Sequence, residues 1–380
     1  MDVAVNKMIS ICFYISDYGY GHASRDIAII RRILKEFSDI KIYVKTGGPF
    51  HFVRQSLPHA NVEVVRSRND VGVVFKKNSV SVDKERTKNS LNEWVASWDD
   101  YIHSEKRFCE AHKIDLILSD ITPQPFVVAD ELNIPSAAIS NFTWHYIFYN
   151  LFGDVPMVER IKEAYQHADL ALTLPFNEEM DLFGNKKEVG LVSREMAVDR
   201  QNMRERYNIS DDELLVYVGV GLSFDPSFMC SMEKIDLPNV KFLISSNAEL
   251  PFENTIKIPA DETETQNYIG MCDLVVSKTG YGTMSEAVRA EIPMFLLKRD
   301  GFKEDELIGG EVEKMGIGKF ISEKSFLDGG WIERLDEVKS WEKEFDMIPK
   351  RFKGDGTHEV VDAILNSGCL EGKYEANSSR

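Results

Sequence analysis

The 380-residue chain is predicted to be an α/β protein with two successive parallel-sheet domains. Apolar strand patterns alternate with helical patterns through the first half, which is typical of parallel strands joined by right-handed helical crossovers. The alternation fades into charged residues around 190–208 and then begins again. Each half also opens with an apolar strand that ends in a Gly-x-Gly turn, Gly19-Tyr20-Gly21 in the first half and Gly219-Val220-Gly221 in the second.

The first domain is predicted to span residues 1–200. Its strands are predicted at 8–16, 41–45, 62–65, 116–118, 136–139 and 170–174. Its helices are predicted at 23–37, 50–56, 87–112, 123–132 and 142–166. The charged segment 66–82 has no apolar period and is predicted to be a loop over the edge of the sheet.

The second domain is predicted to span residues 201–355. Its strands are predicted at 214–218, 241–244, 255–258, 274–276 and 294–297, and its helices at 263–270, 282–290 and 304–315. Residues 356–380 are predicted to form a C-terminal helix, at about 357–365, and a flexible polar tail.

Composition excludes several classes of protein. The formal net charge is −17 and no long basic run offsets it, which argues against nucleic-acid binding. The chain lacks a run of 18 apolar residues and an apolar leader, so it is predicted to be soluble and cytoplasmic. The five cysteines are scattered without C-x-x-C spacing, which argues against a disulfide scaffold and against a zinc site.

The first strand leads into the most informative loop of the chain. Gly19 and Gly21 permit a tight turn and a close approach of the backbone to a ligand. His22 follows at the predicted start of a helix, where the positive end of the dipole favours a neutral imidazole that can act as a base. The loop has neither G-x-G-x-x-G nor P-loop spacing, so a structural role for His22 stays open on this segment alone.

A second loop follows the strand at 274–276. Lys278, Thr279, Gly280, Gly282 and Thr283 lead into a helix whose N-terminal N–H groups are suited to a diphosphate. Glu286 lies one turn into this helix, where a carboxylate can accept hydrogen bonds from two ribose hydroxyls, or can simply complement the helix dipole. The segment 298–306, which includes Glu304 and Asp305, follows the next strand and is predicted to line the same edge of the sheet.

These segments resemble those of a known family. The strand, Gly-rich loop, helix and acidic loop of the second half resemble the nucleotide-sugar half of the GT-B glycosyltransferases, including the N-acetylglucosaminyltransferase of peptidoglycan synthesis. The chain is most similar to the glycosyltransferase-like half of plant arabinokinases. The matching segments lie in the same order in both halves, at 18–25, 115–123, 139–144, 278–286 and 298–300.

The resemblance implies the GT-B fold, with two Rossmann-like domains that face each other across a cleft. It implies that the acceptor binds the first domain, that the nucleotide-sugar binds mainly the second, and that His22 is a general base oriented by Asp120. Asp120 ends a buried predicted strand, which places it at the same sheet edge as His22. By the same resemblance Gly219, Gly221 and Ser223 face the diphosphate. No motif requires a divalent metal or a tightly bound cofactor, since helix dipoles and backbone amides can stabilise a leaving group.

The segment 141–152 is unusually aromatic. Asn141 and Trp144 are candidates for an acceptor wall, because aromatic faces suit sugars. A core helix is the favoured interpretation of this segment, and contact with a membrane is a third one that no motif supports. Arg25 is interpreted as a solvated helix arginine rather than a phosphate ligand.

The sequence therefore predicts a transferase that moves a sugar, with inversion, from a nucleoside diphosphate, expected to be UDP, to an acceptor hydroxyl. A nucleotide-sugar hydrolase similar to that of pseudaminic acid synthesis remains open, because its first loop also carries Gly-x-Gly-His and there the base activates water. A catalytically silent nucleotide-sugar-binding module is the alternative from another class. The sugar, the acceptor and the oligomeric state are not specified by the sequence.

Overall fold

The computed structural model describes residues 8–77, 79–219, 235–245 and 250–366. The chain divides into two compact units. The first comprises Met1–Gly72, Lys88–Val192 and Gly354–Arg380, and the second comprises Val73–Thr87 and Ser193–Lys353. Two segments are placed differently from the predicted domains, because Val73–Thr87 joins the second unit and the C-terminal helix joins the first.

The first unit is built on a parallel sheet. Its described strands are β1 Ile9–Ile15, β2 Ile40–Thr46, β3 Val62–Arg66, β4 Leu116–Asp120, β5 Ser136–Ser140, β6 Leu170–Thr173 and β7 Lys186–Glu188. Their order across the sheet is β3-β2-β1-β4-β5-β6-β7, and every pair is parallel. The direction of winding reverses between β1 and β4, and open α/β sheets bind ligands at the carboxyl ends of the strands at such a point.

The helices of this half confirm the predicted alternation. They are α1 Tyr20–Glu36, α2 Phe50–Ser56, α3 Lys84–Ala96, α4 Trp98–His112, α5 Gln124–Leu132, α6 Trp144–Phe152 and α7 Pro156–Tyr165. Strands β1, β2, β4 and β5 are almost wholly buried, as predicted for a parallel sheet covered on both faces, whereas the outermost strands β3 and β7 are more exposed.

Two helices predicted as continuous are each broken in two. The helix predicted at 87–112 is interrupted at Ser97, whose hydroxyl donates to the Trp94 carbonyl oxygen at 2.7 Å and so competes with the helical hydrogen bonds. The helix predicted at 142–166 is interrupted after Gly153, which has a φ of +68°. Pro156 then opens α7, because proline at the first helical position loses no intrahelical bond.

Helix α6 contains most of the aromatic segment 141–152. Trp144, Ile147 and Phe148 form its buried face, whereas Tyr149 on the other face is 44% exposed. This pattern agrees with the core interpretation of the segment. No helix within the described ranges is both long and apolar enough to cross a membrane.

The second unit repeats the architecture with its own sheet. Its described strands are β8 Leu214–Gly219, β9 Val240–Ser245, β10 Thr255–Ile258, β11 Leu274–Lys278, β12 Met294–Leu297 and β13 Gly318–Ile321. They lie in the order β10-β9-β8-β11-β12-β13 and are all parallel. The winding reverses between β8 and β11, so the second Gly-rich segment follows a strand at the switch point.

Shorter helices complete the described part of the chain. They are α8 Arg200–Arg206, α9 Thr265–Gly270, α10 Tyr281–Arg289, α11 Glu304–Lys314, α12 Glu323–Leu327, α13 Val338–Trp341, α14 Lys350–Lys353 and α15 Gly356–Asn366, with 3₁₀ turns at Ile332–Glu337 and Glu342–Met347. Helix α8 and strand β13 were not predicted from the sequence. The residues of α8 are mostly charged, which is why that segment was interpreted as a linker.

The C-terminal helix α15 packs against α1 in the first unit. The Glu359 carboxylate accepts a hydrogen bond from the backbone N–H of Gly190 at 2.7 Å, and Arg32 of α1 lies 3.4 Å from Asp355. A β-carbon at Gly356 would lie 2.1 Å from the carbonyl oxygen of Gly190, so only glycine fits there. The predicted tail beyond residue 366 lies outside the described residues.

Candidate functional site

The first candidate loop joins β1 to α1. Gly19 caps the helix with a φ of +83°, a conformation that glycine adopts without steric cost. Helix α1 begins at Tyr20, so Gly21 and His22 lie in its first turn rather than before it. His22 is 6% exposed, which leaves the imidazole close to solvent but largely enclosed by protein.

The His22 ring meets the end of the neighbouring strand. Ile15 and Asp120 are paired in the register of β1 and β4, so the loops that follow the two strands begin side by side. The Nδ1 atom of His22 lies 2.8 Å from Oδ1 of Asp120, within direct hydrogen-bond distance. The expected contact between the two predicted residues is therefore present in the first unit.

Arg25 joins this pair and corrects the sequence interpretation of a solvated helix arginine. Its side chain is 1% exposed. Its Nη2 atom donates to Oδ1 of Asp120 at 2.5 Å, its Nε atom also donates to Asp120, and its Nη1 atom donates to Oδ1 of Asn141 at 2.8 Å. Such a two-point contact holds the carboxylate in one plane. The arginine lies one turn beyond His22, so both face β4 from the same side of α1.

The charges around Asp120 decide its ionisation. Burial raises its pKa, but the charge of Arg25 and the hydrogen bonds from Arg25 and His22 outweigh burial, so the pKa lies below the usual range. Asp26 behaves in the opposite way. Burial and the neighbouring Asp120 raise the pKa of Asp26 well above its usual range, and neither of its carboxyl oxygens has a hydrogen-bond partner. The site therefore holds Asp120 ionised, whereas burial and the neighbouring carboxylate favour the neutral form of Asp26.

Asn141 and Trp144, the predicted acceptor residues, are both fully buried. Asn141 receives the hydrogen bond from Arg25, and the indole N–H of Trp144 donates to Oδ2 of Asp70 at 2.8 Å. The other Asp70 oxygen accepts the backbone N–H of Asp17 at 2.9 Å. The structure thus shows that both side chains form hydrogen bonds that hold neighbouring side chains and the loop after β1 in place. Their contact with an acceptor stays a prediction.

The buried Asp70 carboxyl predicts a pH dependence of stability. Burial and the charge of Asp17 raise its pKa from 3.8 to about 6. The native protein therefore binds this proton more tightly than the unfolded chain, so the stability that the protonated group provides is lost as pH rises from about 4 to about 6. The loss is expected to be about 2–3 kcal/mol in the free energy of unfolding.

Urea denaturation over this pH range tests the expectation with Asp70→Asn, which removes the titration. The wild-type protein should lose stability relative to the variant as pH rises. Asp130→Asn, at a carboxylate that is exposed, serves as the control. An identical pH dependence in the wild type and Asp70→Asn would contradict the assignment.

The second candidate loop joins β11 to α10 in the second unit. Gly280 caps α10, and Gly282 and Thr283 lie in its first turn, so the N–H groups of that turn have no helical acceptor. Thr279 is fully buried and its hydroxyl donates to the Leu297 carbonyl oxygen at 3.2 Å, which fixes the loop to β12. Gly219 ends β8 and pairs with Ser277. The predicted residues Gly221 and Ser223 lie outside the described residues.

Glu286 lies in α10 and is 3% exposed. Its Oε1 atom accepts a hydrogen bond from Nε of Arg194 at 2.8 Å and lies 2.8 Å from Nη2 of the same arginine. Burial raises the pKa of Glu286 although the charge of Arg194 opposes the shift. Arg194 also donates to the Thr263 carbonyl oxygen and to the Thr265 hydroxyl. Sequence reasoning missed Arg194, which lies in the segment interpreted as a linker.

The acidic loop after β12 is organised by Arg299. Its guanidinium contacts Asp305 at 2.5 Å, Glu304 at 3.2 Å and the Thr279 carbonyl oxygen at 2.5 Å. The two predicted carboxylates thus hold the arginine, which in turn holds the Gly-rich loop. Burial and the charge of Arg299 lower the pKa of Lys278 to about 8, so this lysine remains mainly cationic at neutral pH at the end of β11.

One further cluster lies at the opposite edge of the first sheet. A cavity of about 730 Å³ there is lined by residues that include Asp130, His167, Asp169 and Lys187. His167 contacts Asp130 at 2.9 Å, but both side chains are well exposed. This pair is a histidine and an aspartate, like His22 and Asp120, but it is exposed rather than buried. None of the predicted site residues lines this cavity. In the part of the chain that the structure describes, no three His, Cys, Asp or Glu side chains are grouped to hold a metal ion.

Comparison with known proteins gives one curated relative and many similar structures. No family model matches the chain. L-arabinokinase of Arabidopsis thaliana is 25% identical over 347 residues, which cover 89% of this chain and 33% of the relative. The chain thus spans about a third of the length of that relative.

The similar structures agree on one architecture. The calicheamicin glycosyltransferase CalG4 matches with a TM-score of 0.65 at 13% identity and covers 96% of this chain and 98% of its own. Spinosyn rhamnosyltransferase SpnG complexed with thymidine diphosphate matches with a TM-score of 0.62 at 13% identity and covers 93% of this chain and 99% of its own. Arabidopsis thaliana UGT89C1 complexed with UDP matches with a TM-score of 0.62 at 12% identity and covers 95% of this chain and 100% of its own. The chain therefore has the GT-B fold, as the sequence predicted.

Proposed function

We propose that this protein is an inverting glycosyltransferase that moves a sugar from a nucleoside diphosphate sugar, a UDP-sugar in the first instance, to an acceptor hydroxyl. The observation that carries the proposal is the buried contact of 2.8 Å between His22 and Asp120 at the switch point of the first sheet. The similar structures include the calicheamicin glycosyltransferase and a spinosyn rhamnosyltransferase, and those named with a bound nucleotide hold thymidine diphosphate or UDP.

The acceptor is bound by the first unit. His22 with its proton on Nδ1, donated to Asp120, has a lone pair on Nε2 that takes the proton of the acceptor hydroxyl. The acceptor oxygen attacks the anomeric carbon as the bond from that carbon to the diphosphate oxygen breaks, so the diphosphate leaves with the bonding electrons. The ionised Asp120 stabilises the imidazolium formed in this step.

The donor is bound by the second unit. The backbone N–H groups of Gly282 and Thr283, in the first turn of α10, receive the diphosphate, and the mainly cationic Lys278 offsets its developing charge. Glu286 holds the ribose. Because Arg194 engages Oε1 of Glu286, the carboxylate is held in one orientation, and we assign its second oxygen to the ribose hydroxyls.

Replacement of Glu286 by glutamine tests the donor site. The change is expected to weaken UDP binding by about 1.5–3 kcal/mol, the range for a hydrogen bond to a charged group. Isothermal titration calorimetry with UDP and 2′-deoxy-UDP measures the effect. The deoxy nucleotide should bind the parent protein less tightly and lose little further on Glu286→Gln, because the two changes remove the same interaction.

Glu213→Gln is the matched control, since Glu213 lies at the other end of β8 and pairs with Lys241. It should leave UDP affinity unchanged. Unchanged affinity in Glu286→Gln would remove Glu286 from the nucleotide site.

The reaction class is tested by release of the nucleoside diphosphate with and without candidate acceptors. Release that depends on the acceptor supports the transferase. Release at full rate from the donor alone would instead identify a hydrolase in which His22 activates water. Tight donor binding without release under a broad set of acceptors would identify a silent binding module.

A further inference from the structure

Two groups of opposite hydrogen-bonding character meet the same atom of His22. The Nδ1 atom lies 2.8 Å from Oδ1 of Asp120, which only accepts, and 3.0 Å from Nη2 of Arg25, which only donates. A neutral imidazole nitrogen cannot satisfy both, since it carries either a proton or a lone pair. The site therefore contains a choice between two tautomers that a simple His–Asp pair does not have.

The two tautomers differ in what His22 can do. With the proton on Nδ1, the ring donates to Asp120 and Nε2 keeps a lone pair that can accept a proton. With the proton on Nε2, Nδ1 accepts from Arg25 and the outer nitrogen is a donor that cannot act as a base. The hydrogen bond made by Nδ1 thus decides whether Nε2 can act as a base.

We propose that Arg25 is a positioning residue that competes with Asp120 for Nδ1 of His22 and so sets which tautomer of the imidazole is populated. The catalytic meaning of this competition rests on the proposed function, whereas the tautomer itself can be measured without any substrate. Arg25 acts through His22 and is not assigned any contact with acceptor or donor.

The surroundings hold Arg25 in this position. The guanidinium is 1% exposed, binds both oxygens of Asp120 and is fixed on its far side by Oδ1 of Asn141. It cannot lose its proton, so its role as a donor is permanent. Two charged side chains contact the His22 ring, Asp120 on β4 and Arg25 on α1. Phe142, whose ring centroid lies 5.8 Å from the imidazole, adds no charge.

Competition of this kind also opposes the imidazolium. Protonation of Nδ1 removes the acceptor for Arg25 and places two cations at hydrogen-bond distance.

Nitrogen-15 NMR of the histidine rings in the ligand-free protein tests the proposal. Ring nitrogens with and without a proton differ strongly in shift, and His22 among the eight histidines is assigned by its loss in His22→Gln. In Arg25→Gln the ratio of the Nε2–H to the Nδ1–H tautomer is expected to fall by about threefold or more. In Asp120→Asn the ratio should rise.

Two milder variants keep the test decisive if Arg25→Gln does not fold. Arg25→Lys keeps the charge but cannot span Asp120 and reach His22 together, and Asn141→Ala frees the guanidinium without removing it. Both should shift the tautomer in the same direction as Arg25→Gln, by smaller amounts.

Arg204→Gln is the matched control, because Arg204 is a second buried arginine, in the second unit, bound to Asp273 and to backbone carbonyls. It should leave the His22 signals unchanged. Unchanged His22 signals in every Arg25 variant, or an equal change in Arg204→Gln, would overturn the proposal. Because no substrate is used, these results stand apart from those that would reject the glycosyltransferase.

Discussion

Replacement of His22 by alanine is expected to lower transfer turnover by about 10²–10⁴-fold, the usual contribution of a positioned general base. The physical reason is that the acceptor hydroxyl is a poor nucleophile while it keeps its proton, and the removed imidazole is the group that takes it. Donor affinity should change little, since the nucleotide is assigned to the second unit. Release of the nucleoside diphosphate in the presence of acceptor measures turnover, and calorimetry with UDP measures donor affinity.

The fold supplies a matched control for this experiment. The Nδ1 atom of His167 lies 2.9 Å from Oδ2 of Asp130, but this pair is at the opposite edge of the first sheet and in an exposed position. His167→Ala should therefore keep full turnover. If His22→Ala also kept full transfer activity, the mechanism would be wrong even though the fold is right.

The contact between His22 and Asp120 could be anticipated from the sequence because it follows from the geometry of a parallel sheet. Both residues follow apolar runs that form adjacent parallel strands, and the carboxyl ends of such strands share an edge. The turn at Gly19 could be anticipated for the same reason, since a strand that leads directly into a helix needs a residue that tolerates positive φ.

The charged side chains around that contact could not be predicted from the sequence. Arg25 lies in a helix rich in polar residues, where an arginine is normally solvated, and only the position of β4 shows that it faces Asp120. The spacing of three residues from His22 was the available signal, because it places both side chains on one face of α1. No feature of the sequence indicated that Asp26 is buried, since aspartate side chains are rarely buried without a hydrogen-bond partner.

In the second unit the Gly-rich loop was predictable and its supports were not. A strand followed by Gly280 and Gly282 indicates a turn into a helix, and the structure places Gly280 at the cap and Gly282 in the first helical turn. The partner of Glu286 comes from Arg194, which is far away in the sequence and lies outside any periodic segment. Long-range ion pairs of this kind depend on tertiary packing, and no local pattern encodes them.

Replacement of Asp120 by asparagine is the second change with a large expected effect. The asparagine has nearly the shape of the aspartate, so the fold should persist, but it no longer supplies the negative charge that stabilises the imidazolium. It also no longer opposes Arg25, whose Nη2 atom lies 3.0 Å from Nδ1 of His22 and is free to donate to it. His22 is then held with its proton on Nε2, the form that cannot act as a base.

Turnover of Asp120→Asn is therefore expected to fall by about 10²–10⁴-fold, as for the loss of the base itself. Asp130→Asn, in the exposed pair, should retain activity. The double variant His22→Ala with Asp120→Asn should be only slightly slower than His22→Ala, because once the imidazole is gone the carboxylate has nothing to orient. Losses that multiplied in the double variant would mean that Asp120 acts on the reaction independently of His22, for example by contacting the acceptor, and the pair would then have to be described as two separate catalytic groups.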